Sequence, residues 1–126
     1  MTYTIKELGA RFGLPASTLR YYEEVGLLKQ VGRTPEHQRV YEEQHLRRLE
    51  SICCFKGTGM TIPQMRELFG YIEGGAAHVD EILALLEAQR EKTQRQIVEM
   101  QTNLAHVERK IRRYAAMKAA AEGKEA

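Results

Sequence analysis

Cysteine is nearly missing from this sequence: among 126 residues there are two, adjacent at Cys53 and Cys54. Neighbouring thiols supply neither a disulfide framework, nor the spaced ligands of a structural zinc site, nor the four ligands of an iron–sulfur cluster. The pair fits a reduced, cytosolic setting. Also missing is any run of about 18 apolar residues, the length that spans a bilayer. Met1–Ala10 has no apolar core of the kind a secretory signal needs. The expected location is therefore the cytoplasm, with no membrane partner. A surplus of one charge is absent as well, since 19 Lys and Arg face 17 Asp and Glu for a net charge of +2. Bulk charge thus says little about nucleic acid, and placement has to carry that argument. Nor is there a nucleophile–base–orienter set or a glycine-rich phosphate loop, so no enzyme activity and no cofactor are expected.

What is present begins with Thr4-Ile5-Lys6-Glu7, a capping box whose hydroxyl and carboxylate satisfy the first backbone donors of a helix. Ile5, Leu8 and Phe12 follow at helical spacing, and Gly13 ends the run. Pro15 suits the first position of a second helix, expected to run to about Val25 and to stop at Gly26. Two short helices joined by a tight glycine-containing turn make a helix-turn-helix candidate. The stretch "VGRTPEHQ" between β-capable residues predicts a small hairpin, or wing. A third helix is expected over Glu43–Lys56, and Thr61-Ile62-Pro63-Gln64 is a second capping box opening a fourth helix to about Ile72.

Gly74-Gly75 breaks the chain, and from Ala76 to Lys118 there is neither Gly nor Pro. Ile97, Met100, Leu104, Val107, Ile111 and Tyr114 alternate steps of three and four, the spacing of a coiled-coil seam. A single helix of about 60 Å has nowhere of its own to bury such a stripe, so homodimerisation is expected. Gln89 and Thr93 interrupt the seam and would set register more than strength. The expected organisation is a winged helix-turn-helix domain at 1–73, a dimerisation helix at 76–118 and a disordered tail at 119–126.

On the second helix, Leu19 and Tyr22 fall on one face while Ser17, Arg20, Tyr21 and Glu24 project to the other. A permanent cation with hydroxyl donors near a helix N-terminus suits phosphate oxygens and guanine edges in a major groove. Arg20 is the best single candidate for base contact; the competing reading is a surface ion pair with Glu23 or Glu24. Arg33 and Arg39 on the wing add cations that would straddle the neighbouring phosphate backbone. A rival from another class is a coiled-coil module whose head binds protein, which would leave the wing arginines unexplained.

"TIKELGARFGLPASTLRYYEEVGLL", followed by "GRTPEHQRVY" and "GMTIPQMREL", resembles the MerR family of bacterial transcription regulators over nearly the whole chain. The resemblance implies a mainly α fold: a winged helix-turn-helix domain followed by a long antiparallel coiled-coil dimerisation helix. It implies binding to an inverted-repeat promoter as a homodimer, and activation by distorting an over-long spacer so that RNA polymerase can use it. By the same resemblance Ser17, Thr18, Arg20, Tyr21, Tyr22, Arg33, Arg39 and Tyr41 form the DNA-facing set. The sequence departs from the family pattern at Gln30, where Pro is usual, at His37, where Gly is usual, and at His45, where an acidic residue is usual.

For the signal, metal-sensing members of the family place cysteines at the start of the long helix and in a loop near its C-terminal end, and this chain has none after Cys54. His78 lies near the first of those places without thiolate companions, so no metal site is expected, and a metal or another effector stands as the alternative trigger. "SICCFKGTGM" resembles the subgroup that senses aldehydes and nitrosothiols, which implies Cys54 as the reactive thiol. At about 100° per residue Cys53 falls within the arc of Leu46, Leu49 and Ile52, and Cys54 on its edge. Two inert buried cysteines are the competing reading.

Overall fold

The computed structural model describes residues 1–125. A short strand β1 (Thr2–Tyr3) leads into α1 (Ile5–Phe12) and α2 (Ala16–Glu24). Strands β2 (Gly32–Arg33) and β3 (Arg39–Glu42) form the wing, followed by α3 (Glu43–Gly57) and α4 (Ile62–Glu73). After a 3-10 turn at Gly75–His78, α5 runs over Val79–Glu125.

Local chemistry sets the first boundaries. The Thr4 hydroxyl accepts from the Glu7 amide at 3.1 Å and the Glu7 carboxylate accepts from the Thr4 amide at 2.9 Å, closing the expected box. That capture of the ionised form lowers the Glu7 pKa. Gly13 closes α1 in the left-handed conformation at φ 65°. The turn that follows folds back so tightly that a Cβ on Gly9 would stand 2.6 Å from the Leu14 carbonyl oxygen. Pro15 is the N-cap of α2 rather than its first helical residue, with ψ at 151°.

The wing is an antiparallel pair with Gly32 opposite Val40 and Arg33 opposite Arg39. β1 joins the other side of β3, giving the order β1-β3-β2. Two residues are too few to show an alternating pattern, so β1 left no trace in the sequence. His37 and Gln30 both adopt positive φ, at 66° and 59°. A proline ring fixes φ near −65°, so Gln30 holds a backbone that the family's usual Pro could not.

Leu8, Leu19, Tyr22, Leu27, Tyr41, Leu49, Ile52, Met65 and Leu68 form one buried core, with Ile82, Leu85 and Leu86 packed partly against it. The compact unit accordingly extends through Leu86, beyond the expected boundary at 73. The reason is the i, i+3, i+4 spacing of Ile82, Leu85 and Leu86, which gives the first turns of α5 an apolar face of their own.

From Glu87 onward the second unit is the remainder of α5. Its seam residues stand open, from 52% for Ile97 and Val107 to 67% for Met100. Thr93 turns its hydroxyl back to the Gln89 carbonyl at 2.8 Å, satisfying itself within the helix. Two expected limits of the helix are corrected. It starts at Val79 instead of 76, because Gly75–His78 winds as a 3-10 turn. It continues past Lys118 to Glu125, where the expected tail holds Ala119–Ala121, the residue type that most favours helix. Ala126 lies outside the described residues.

Candidate nucleic-acid interface

α2 divides by face as its spacing requires. Leu19 and Tyr22 are buried, Ser17 and Arg20 are exposed, Thr18 is half-buried, and Tyr21 is 47% exposed. The Arg20 ion pair with Glu23 or Glu24 does not form. Glu23 is taken by the wing instead, through Arg33 Nη2 to Oε1 at 2.9 Å and Arg39 Nε to Oε2 at 2.5 Å. Arg20 makes no ion pair among the described residues. It lines a concavity of about 490 Å³ together with Thr4, Lys6, His37 and Arg39.

α2, the wing and the start of α1 therefore converge on one basic depression. Lys6 and His37 belong to it and were absent from the expected set. Lys6 had been visible only as one cation among several, and nothing local in the sequence tells that the first turn of α1 comes to lie beside the wing tip. His37 reaches the site because the turn places it there: its amide donates to the Thr34 carbonyl at 2.9 Å.

Tyr22 and Tyr41 hold their rings in the core, and both hydroxyls are buried without a hydrogen-bond partner among the described residues. The Tyr41 phenol is pushed above its ordinary pKa by burial and then by the charge of Glu23, while Arg39, Arg33 and Arg20 pull it the other way. Tyr41 thus senses the whole charged face from beneath.

On α3 the two thiols separate. Cys53 is half-buried, and that burial raises its pKa against the opposing pull of Lys56. Cys54 is exposed. His78 packs its ring against Tyr71 at 5.3 Å between centroids, so close to Gly74 that a Cβ there would collide with it. Among the described residues no three His, Cys, Asp or Glu side chains gather as metal ligands, and no helix is long and apolar enough to cross a membrane.

A helix-turn-helix with an exposed arginine on its second helix, flanked by a two-stranded wing carrying two more, defines a DNA-binding regulator of transcription. Residues 3–71 match the family description "MerR HTH family regulatory protein" and residues 46–106 match "MerR, DNA binding". The chain belongs to the MerR family.

Among its relatives, an uncharacterized HTH-type transcriptional regulator of Haemophilus influenzae is 33% identical over 94% of this chain and 88% of its own length. The HTH-type transcriptional regulator AdhR of Bacillus subtilis is 33% identical over 70% of this chain and 63% of its own. The crystal structure of HiNmlR, a MerR family regulator lacking the sensor domain, bound to promoter DNA, superposes with a TM-score of 0.85 at 33% identity. That superposition covers 94% of each chain. These relatives are regulators of transcription, and the chain is a DNA-binding transcriptional regulator, not an enzyme.

Proposed function

We propose that this protein works in the cytoplasm as a homodimer on an inverted-repeat promoter element, distorting an over-long spacer for RNA polymerase. Electrophilic or nitrosative modification of Cys54 is its trigger. The observation that carries the DNA reading is the unpaired, exposed Arg20 beside Arg39 in one basic depression. A guanidinium left unpaired at the surface is available for bidentate contact with a guanine edge. HiNmlR, which matches this chain along nearly its full length, was crystallised on promoter DNA.

Dimerisation is supported by the open seam of Ile97, Met100, Leu104, Val107, Ile111 and Tyr114. Charge favours the antiparallel arrangement. Residues 79–102 carry five acidic and three basic side chains, and residues 103–125 carry three acidic and six basic. Antiparallel pairing sets each half against its opposite, whereas parallel pairing sets like against like.

Cys54 supports the trigger because it is the exposed member of the pair. Its sulfur would add to the carbonyl carbon of an aldehyde, whose oxygen takes the thiol proton to give a hemithioacetal. With a nitrosothiol it would accept the nitroso group and release the donor as a thiol. Binding to a duplex enriched by the protein from a random pool, followed against salt, tests the DNA reading. Arg20→Ala should reduce discrimination by about 1–3 kcal/mol. A protein that enriches no sequence refutes it. Mass spectrometry after formaldehyde or nitrosoglutathione tests the trigger, with transcription measured from Cys54→Ser; an unmodified Cys54, or a variant that still responds, removes the thiol switch alone.

A further inference from the structure

Glu23 is out of place on a DNA-facing surface. It is a carboxylate on the last turn of α2, among the groups that would meet phosphates, where a negative charge opposes binding. Its surroundings explain why it is there. β2 and β3 pair so that Arg33 stands directly opposite Arg39. Like charges directly opposite across an antiparallel pair repel and would splay the two side chains. Glu23 lies between them and takes one nitrogen of each.

The choice of nitrogens matters. Arg39 gives its inner Nε, and Arg33 gives Nη2. A guanidinium carries five N–H groups in a fixed plane, so fixing one edge orients the rest. Both terminal amino groups of Arg39, and Nε and Nη1 of Arg33, are engaged by no described residue. The carboxylate therefore holds the two guanidinium planes without using them up. It also ties α2 to the wing, because residue 23 belongs to the helix that carries Arg20. Among the ion pairs of the described residues this is the least exposed, with side-chain exposures of 25% for Arg39 and 22% for Glu23.

We propose that Glu23 is a positioning residue for DNA recognition: it locks the wing arginines to the recognition helix, so that phosphate contacts by Arg33 and Arg39 and the base contact by Arg20 are made in one register. The proposal rests on the DNA-binding reading of this face. It assigns Glu23 an effect on discrimination rather than on bulk attraction, because removing its charge by itself strengthens non-specific binding.

The test measures affinity of the full chain for two duplexes, one enriched by the wild type from a random pool and one of unrelated sequence. Four proteins are compared: wild type, Glu23→Gln, Arg33→Gln/Arg39→Gln, and the triple substitution. Glu23→Gln should weaken the enriched duplex about tenfold while leaving the unrelated duplex unchanged or tighter, a split that a folding defect would not produce. In the Arg33→Gln/Arg39→Gln background it should change the enriched-duplex affinity by less than about twofold, since the groups it positions are gone. Tighter binding of both duplexes by Glu23→Gln would overturn the proposal and make the carboxylate a competitor of phosphate. An undiminished effect in the double-arginine background would overturn it too. If the wild type discriminates and Glu23→Gln does so equally well, only this proposal falls; if the wild type enriches nothing, the reading of the face falls with it.

Discussion

At the scale of single residues, neighbours in the chain lead separate lives. Cys53 and Cys54 share a helical turn, yet one is half-buried and the other exposed. Burial penalises the Cys53 thiolate and holds its folded pKa above the unfolded value. For an acid shifted this way the folded state keeps the proton, so stability falls as pH rises through and beyond the unfolded thiol range. Because the thiolate is the reacting form, alkylation of Cys53 should follow pH along a curve displaced to the alkaline side of that for the urea-unfolded chain. Iodoacetamide labelling read residue by residue checks this, with the exposed Cys54 labelled first. Coincident curves for folded and unfolded Cys53 would contradict it. Helical angle alone separated the two thiols in the sequence. The ion pairs of Glu23 were invisible there, because its partners lie 10 and 16 residues away across a turn whose path only folding decides.

Between elements, the junction of wing and α3 turns on one imidazole. His45, a departure from the family pattern, is buried and spends both ring nitrogens. Nδ1 accepts from the Glu42 amide at 2.8 Å, which leaves Nε2 to donate to the Lys29 carbonyl at 2.9 Å. One side chain thereby caps α3 and pins the root of the wing, just before the left-handed Gln30. Lys29 is held at its other end by Glu73 at 3.1 Å. His45→Ala removes the partner of the part-buried Glu42 amide and of the part-buried Lys29 carbonyl, at about 1 kcal/mol each. The melting temperature should drop by roughly 10 °C or more, as followed by circular dichroism, and an unchanged transition would show that water replaces the ring. Capping boxes were legible from sequence because four consecutive residues contain them, as at Thr4–Glu7 and Thr61–Gln64. A histidine capping α3 follows no such pattern, and its second bond reaches back 16 residues.

For the molecule as a whole, the sequence revealed most of α5 by the absence of glycine and proline from Ala76 to Lys118 and revealed its seam by spacing. It concealed where the packed body ends, because Ile82, Leu85 and Leu86 continue the same periodicity while packing on a different partner. Leu104 stands in the middle of the open seam at 54% exposure. Under the dimer reading, Leu104→Lys buries two ammonium groups at the pairing surface. It should weaken self-association by about 100-fold or more, read by sedimentation equilibrium, with the melting of the body through Leu86 unchanged. A variant that remains dimeric would place the pairing surface elsewhere.

Under the same dimer reading, that open seam also bears on how much protein a cell must make. Each half-site contact comes from one chain, but joining two chains depends on the product of their concentrations. Below the point where pairing saturates, halving the number of chains lowers the number of pairs about fourfold. On that reading a stripe of half-exposed apolar side chains sets a threshold in gene dosage, making promoter occupancy steeper in copy number than binding by single chains would be.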